Sequence, residues 1–195
     1  MPLDIRTLTG EALADALPQV AALRIAVFRD WPYLYDGDLA YEERYLQSYR
    51  ESRRALVVGA WDGAQLVGAS TATPLADHAD DFAAAFDGSG IDISKVYYCA
   101  ESVLLPDYRG QGAGHAFFDL REAHARRLGY EMSCFCAVTR PADHPARPAT
   151  YRPLDDFWTA RGYARLPGVT ARFSWKDIGE AAQTAKPMQF WMRRL

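Results

Sequence analysis

Arg109-Gly110-Gln111-Gly112-Ala113-Gly114 is the stretch that decides how this chain reads. Residues 97–105 before it are mostly apolar and read as a buried strand. Pro106-Asp107-Tyr108 breaks that strand, and a helix is predicted over about 113–128, closed by Gly129. A strand, a glycine loop and a helix start together suit phosphate. Free N–H groups at a helix N-terminus point at the anion, and the helix dipole favours negative charge there. Glycine lets the backbone approach closely because no Cβ intervenes. The glycines run G-x-G-x-G, whereas a dinucleotide turn needs G-x-G-x-x-G directly after a strand. That spacing, and the lack of an earlier βαβ unit, argue against a nicotinamide-dependent oxidoreductase.

Composition narrows the field. Of 195 residues, 49% are apolar and 24% charged, which is ordinary for a water-soluble chain with a real core. A net charge of −3 argues against general nucleic-acid binding, which wants a basic face. No apolar run is long enough to span a bilayer, and Met1-Pro2-Leu3-Asp4 lacks a basic start and an apolar signal core, so a cytoplasmic protein with no membrane partner is expected. Cys99, Cys134 and Cys136 fall in apolar, strand-like stretches and read as buried thiols. His78, His115, His124 and His144 show no metal spacing, so no metal is expected.

In chain order, 4–8 reads as a first strand and 10–17 as a short helical turn. Pro18 then opens a helix to about 30, where its missing N–H costs nothing. Trp31 to Asp38 is an aromatic and acidic loop, and 39–51 a second helix. Residues 54–61 and 65–73 are strands joined by the turn signal Asp62-Gly63. Residues 74–90 read as a loop with one short helix, and 95–105 as the central strand. The helix after the loop carries Ala113, Phe117, Leu120 and Ala123 on one stripe, with Glu122 and Arg126 placed to pair on another. Residues 131–138 form a strand, 140–153 an irregular stretch and 154–161 a short helix closed by Gly162. The last strands are 170–176 and 188–193, with 178–186 between them.

Arg109, Gly112 and Gly114, led in by Val103-Leu104-Leu105-Pro106-Asp107-Tyr108, resemble the pyrophosphate loop of the GNAT superfamily, the acyl-CoA-dependent N-acyltransferases. That pattern is an arginine or glutamine, two residues, a glycine, one residue, then glycine or alanine. The element order matches over nearly the whole chain. The stretches 23–29, 32–35 and 190–192 look like an uncharacterised bacterial-type branch. The resemblance implies an α/β fold of α+β type: a mixed, mostly antiparallel sheet of about seven strands, helices on both faces, and parallel fourth and fifth strands that splay apart. It implies one such domain over 1–195, acetyl-CoA as co-substrate, and an N-acetyltransferase acting on a small-molecule amine or an exposed protein or peptide amine. Homodimers are common in the superfamily, and the closing strand at Phe190-Trp191-Met192 is available to pair.

By the same resemblance, the main chain of Val103, Leu104 and Leu105 pairs with the pantetheine arm as an added strand. The glycine loop, through Gly110 and the amides of Gln111, Gly112, Ala113, Gly114 and His115, holds the pyrophosphate. Arg109 either adds charge or is a solvated side chain. Glu101 is the candidate general base: a carboxylate inside an apolar strand is costly unless paired, wet or used. A bond to a neighbouring strand is the alternative. The superfamily's usual acid, a tyrosine four residues before the helix-ending glycine, is replaced by Trp158, so either the thiolate leaves unaided or Tyr151 or Tyr163 reaches in. That departure also leaves room for a non-catalytic acyl-CoA-binding module. For the acceptor, Phe28, Tyr33, Tyr35 and Asp36 suit a cationic amine with an apolar body, or else form a solvated acidic loop pinned by its aromatics.

Overall fold

The computed structural model describes residues 2–195, the side chains of 80 and 81 apart. The chain runs β1 (Asp4–Leu8), α1 (Gly10–Phe28), α2 (Leu39–Glu51), β2 (Leu56–Asp62), β3 (Gln65–Pro74), α3 (Ala79–Phe86), β4 (Val96–Tyr98) and β5 (Ser102–Leu104). It continues with α4 (Ala113–Arg127), β6 (Met132–Val138), α5 (Asp155–Ala160), β7 (Ala164–Trp175) and β8 (Thr184–Arg194). The sheet order is β1-β2-β3-β4-β6-β8-β7, with β5 also paired to β3. Every pairing is antiparallel except β4 with β6. This is the mixed, mostly antiparallel sheet that the resemblance implies.

The central strand is where sequence and structure part. One strand over 95–105 was expected. It is two pieces, β4 and β5, because a bulge interrupts it: Ala100 N donates to Thr71 O at 3.1 Å, and Thr71 N to Glu101 O at 3.1 Å. Two residues thus oppose one. The last main-chain bond from this strand to β6 is Cys99 N to Cys134 O. Beyond it β5 stays on β3, and the parallel partners separate. The buried guanidinium of Arg121, on α4, clamps the bulge by donating to Thr71 O and Glu101 O at 3.3 and 3.1 Å, and to Ser102 Oγ at 3.0 Å.

Side-chain alternation sets the two faces of the sheet. On one face, Leu13, Leu17 and Val20 of α1 and Leu46 and Tyr49 of α2 pack on Val57, Ala69 and Val103. On the same face, Phe82 and Phe86 of α3 cover Tyr98, Cys134, Cys136 and Phe190. On the other, α4 and α5 cover Val58, Tyr97, Phe135 and Trp191.

Several expectations change. Helix α1 is continuous, with Pro18 inside it. The stripe Leu13, Leu17, Val20 and Arg24 is buried along its whole length, and that burial offsets the lost hydrogen bond. The inward stripe of α4 is Ala113, Phe117, Phe118, Arg121 and Ala125, and Ala123 is exposed. Glu122 pairs with Arg126 at 3.7 Å, as expected, but it is buried and also meets Arg193, Arg161 and Tyr163. The last two strands are longer than expected. β8 is no free edge: it lies between β6 and β7 with Phe190, Trp191 and Met192 buried, so it offers no surface for a second copy. The three cysteines are free and buried, as expected. No helix among the described residues is long and apolar enough to cross a membrane.

Candidate active site

The glycine loop has the geometry its sequence suggests. Gly110 and Gly112 sit at φ 77° and 84°, the left-handed region that L side chains rarely adopt. Helix α4 starts directly from Gly112. Among the described residues, the main-chain N–H groups of Gly110, Gln111, Gly112, Ala113 and Gly114 find no acceptor, whereas that of His115, expected to join them, is taken by Gly112 O at 3.0 Å. Five consecutive free donors at a helix N-terminus suit a pyrophosphate. Gly114 differs from the other two: its φ is ordinary, and a Cβ there meets Phe157 Cζ at 3.7 Å, a normal contact. That explains why the motif accepts alanine at this place. Arg109 is exposed, and its Nε lies 3.3 Å from Leu104 O, to which it donates. His115 packs on Phe157 and faces Arg161, whose Nη1 donates to its Nδ1 at 3.2 Å.

The strand edge next to the loop is open. Leu105 N donates to Val67 O, and β5 pairs with β3 in the register Ala69↔Val103 and Gly68↔Leu104. Antiparallel alternation therefore turns the main chain of Val103 and Leu105 toward β3, and that of Ser102 and Leu104 toward the gap. Of the three residues expected to pair with a pantetheine, Leu104 presents its amide there, and its carbonyl, which accepts from Arg109 Nε at 3.3 Å.

Where the strands part, a cleft opens on the α1/α2 face. Ala100 and Glu101 line it, adjacent residues on one face because the bulge breaks the alternation. Cys136 of β6 lines it from across the gap, with Phe28, Tyr33, Tyr35, Tyr41, Tyr98 and Trp175 around the wall. Three of the expected acceptor residues, Phe28, Tyr33 and Tyr35, thus meet the expected base. Asp36 lies beside this cleft, in a polar pocket with Lys176, Gly37 and Gln183, and pairs with Lys176 at 2.6 Å. That salt bridge holds the Asp36 carboxyl below its usual range.

Glu101 is 6% exposed. Its Oε2 pairs with Arg24 Nη1 at 2.8 Å and accepts from Tyr45 Oη at 3.1 Å, while its buried Oε1 has no partner. Arg24 Nε also donates to Glu42 Oε2, at 2.5 Å. Two buried carboxylates on separate elements therefore share one buried guanidinium, with the Tyr45 ring 4.1 Å from it. Arg24 and Glu42 were missed in the sequence. Each looks like an ordinary helix-surface charge, and only its spacing within a buried stripe hinted otherwise. Burial, then the Glu101 charge, push the Tyr45 phenol up, so it stays a donor. Burial likewise raises Tyr33, Tyr35 and Tyr98, and pushes the Cys136 thiol up to about 12, away from the thiolate form that a nucleophile needs.

The aromatic loop is fixed by long-range bonds, so it is not a solvated strap. Arg140 donates to Pro32 O and Tyr33 O at 2.9 and 2.6 Å and makes a two-point pair with Asp177. Trp175 Nε1 donates to Tyr33 O at 3.0 Å. Asp38 caps α2 by accepting from Tyr41 N. The two substitute acids fare differently. Tyr163 lies on the opposite face, bonded to Ser133 and Glu122, and does not reach the cleft. Tyr151 packs edge-on against Trp31 at the surface. Trp158 packs at a tilt on Phe135 and edge-on against Trp191, on the α4/α5 face.

Comparison with known proteins agrees with this geometry. The sequence profile described as the acetyltransferase (GNAT) family matches residues 21–154. No curated protein matches the sequence. Among solved structures, the chain is similar to a ribosomal-protein-alanine N-acetyltransferase from Brucella melitensis, at 15% identity and TM-score 0.61, covering 99% of this chain and 100% of that one. It is similar to the PaiA N-acetyltransferase of Thermoplasma acidophilum in complex with coenzyme A, at 12% identity and TM-score 0.58 over the full length of both. A Drosophila melanogaster polyamine N-acetyltransferase matches at 13% identity and TM-score 0.61, over 98% of this chain and 100% of that one.

Proposed function

Since this chain belongs to the acetyltransferase (GNAT) family, we propose that it transfers an acetyl group from acetyl-CoA to a primary amine by direct attack, as one domain over residues 1–195. One observation carries the reading: the free amides of 110–114, the strand-free edge at Leu104 and the Glu101 cleft all belong to the one stretch 100–114 where the sheet parts. The loop and helix α4 take the pyrophosphate, and Leu104 takes the pantetheine as an added strand. Bound there, acetyl-CoA supplies a thioester carbonyl at the point where β4 and β6 separate.

Glu101 acts as the base. Its Oε2 is held by Arg24 and Tyr45, so the carboxylate plane is fixed and Oε1 is left to take a proton from the acceptor's ammonium, directly or through water. The neutral amine attacks the carbonyl carbon, a C–N bond forms and the C–S bond breaks. The thiolate leaves with the electron pair and takes up the second amine proton. A thiol of ordinary pKa near 8.5 is a good enough leaving group to go without a phenol at position 158.

Calorimetric titration with acetyl-CoA, CoA and NAD tests the site. Micromolar binding of the first two and none of NAD is expected, and binding of NAD alone overturns the reading. The packing of Trp158 against Phe135 and Trp191 favours one second reading, a module that binds acyl-CoA without turnover. Release of free thiol in the presence of amines separates the two.

A further inference from the structure

The charges around Glu101 bear on which acceptors the cleft suits. Among the described residues, the only ionic side chains lining the cleft are Arg24 and Glu101, and Arg24 is already shared between two carboxylates. Glu101 Oε1 is buried and without a partner. An unpaired buried carboxylate oxygen is costly, so a cation completes the site. Most of the rest is aromatic: Phe28, Tyr33, Tyr98, Phe173 and Trp175 present rings rather than charges, and Ala100, Cys136 and Met188 complete an uncharged wall. Ring faces and a carboxylate together hold an ammonium on an apolar body.

What the lining lacks sets the limits. It has no cation free to accept a second carboxylate, so an amino acid brings an uncompensated negative charge next to Glu101. In the adjoining pocket, Asp36 is taken by Lys176, and Asp38 caps α2. A second ammonium therefore gains little there.

We propose that the acceptor is an arylalkylamine or alkylamine with a single ammonium and no carboxylate, seated with its ammonium on Glu101 Oε1 and its body against the Tyr33–Trp175 wall. This rests on the acyl-transfer reading of the same cleft and names its substrate class.

Binding is read by calorimetry on the intact protein saturated with CoA, with no turnover needed. The probes are 2-phenylethylamine, 2-phenylethanol, which lacks the charge, phenylalanine, which adds a carboxylate, and spermidine, which adds charges. The amine should bind about tenfold to a hundredfold tighter than the alcohol and phenylalanine, the range of a charge-assisted hydrogen bond, and at least as tightly as spermidine. Glu101→Gln should erase the preference over the alcohol. The wild-type ligand series decides alone if that variant does not fold. Equal affinity for amine and alcohol overturns the proposal, as does tighter binding of phenylalanine or spermidine, or no amine binding at millimolar concentration. Binding of acetyl-CoA without the amine fails this proposal and leaves acyl transfer standing. Binding of the amine to protein that takes up no acetyl-CoA supports the cation site and fails acyl transfer.

Discussion

Replacing Arg24 by methionine removes the one cation that two buried carboxylates share. Glu42 is fully buried and Glu101 6% exposed, and both lose their ion pair at once. Methionine keeps the length of the apolar stem, so lost packing against Phe28 and Tyr45 is a small part of the effect. Breaking a buried pair from one side costs about 3–5 kcal/mol, because the charge left behind has neither water nor partner. For a chain of this size 1 kcal/mol moves the melting midpoint by about 2–4 °C, so the expected fall is about 6–20 °C. Scanning calorimetry at pH 7 measures it directly. A companion variant sharpens the test: Arg24→Met with Glu42→Gln and Glu101→Gln removes all three charges and should recover most of the loss. A fall in Arg24→Met equivalent to less than about 1 kcal/mol, the size for an exposed pair, refutes the reasoning.

Two further outcomes follow from particular residues. Gly112→Ala forces an L residue into φ 84° at a cost of about 1–2 kcal/mol and should weaken acetyl-CoA binding, whereas Gly114→Ala should leave it nearly unchanged; equal losses in a titration of the two would contradict the loop assignment. His124 is held below its usual pKa by burial and then by Arg127, so the folded state binds its proton less readily than the unfolded chain. Stability from the neutral ring is present above about pH 6.5 and is lost as pH falls below it. The urea midpoint should therefore drop less between pH 7.5 and 5.5 in His124→Gln than in the wild type, and equal drops count against this.

Local chemistry made part of the site legible. The glycine loop is read from φ demands and a helix start, both properties of neighbouring residues. Glu101 stood out because a carboxylate inside an apolar strand needs a reason. The bulge beneath it left no mark, since Ala100-Glu101 differs in no local way from a regular strand. Arg24, Glu42 and Arg121 were invisible for the same reason: a charge on a helix reads as solvated until the partner across the fold is known. Pro18 misled because its local cost is real, and only the continuous buried stripe on both sides of it overrides that cost. The closing strand was taken for an edge because sequence order does not reveal that β8 inserts between β6 and β7.

The most direct test of the account is free-thiol release from acetyl-CoA with 2-phenylethylamine, in the wild type and in Glu101→Gln, alongside acetyl-CoA affinity. The account predicts turnover in the wild type, a loss of about a hundredfold or more in kcat for the variant, and an unchanged dissociation constant for acetyl-CoA. Equal kcat in the two proteins would contradict Glu101 as the base, and so would a loss that appears only in acetyl-CoA affinity.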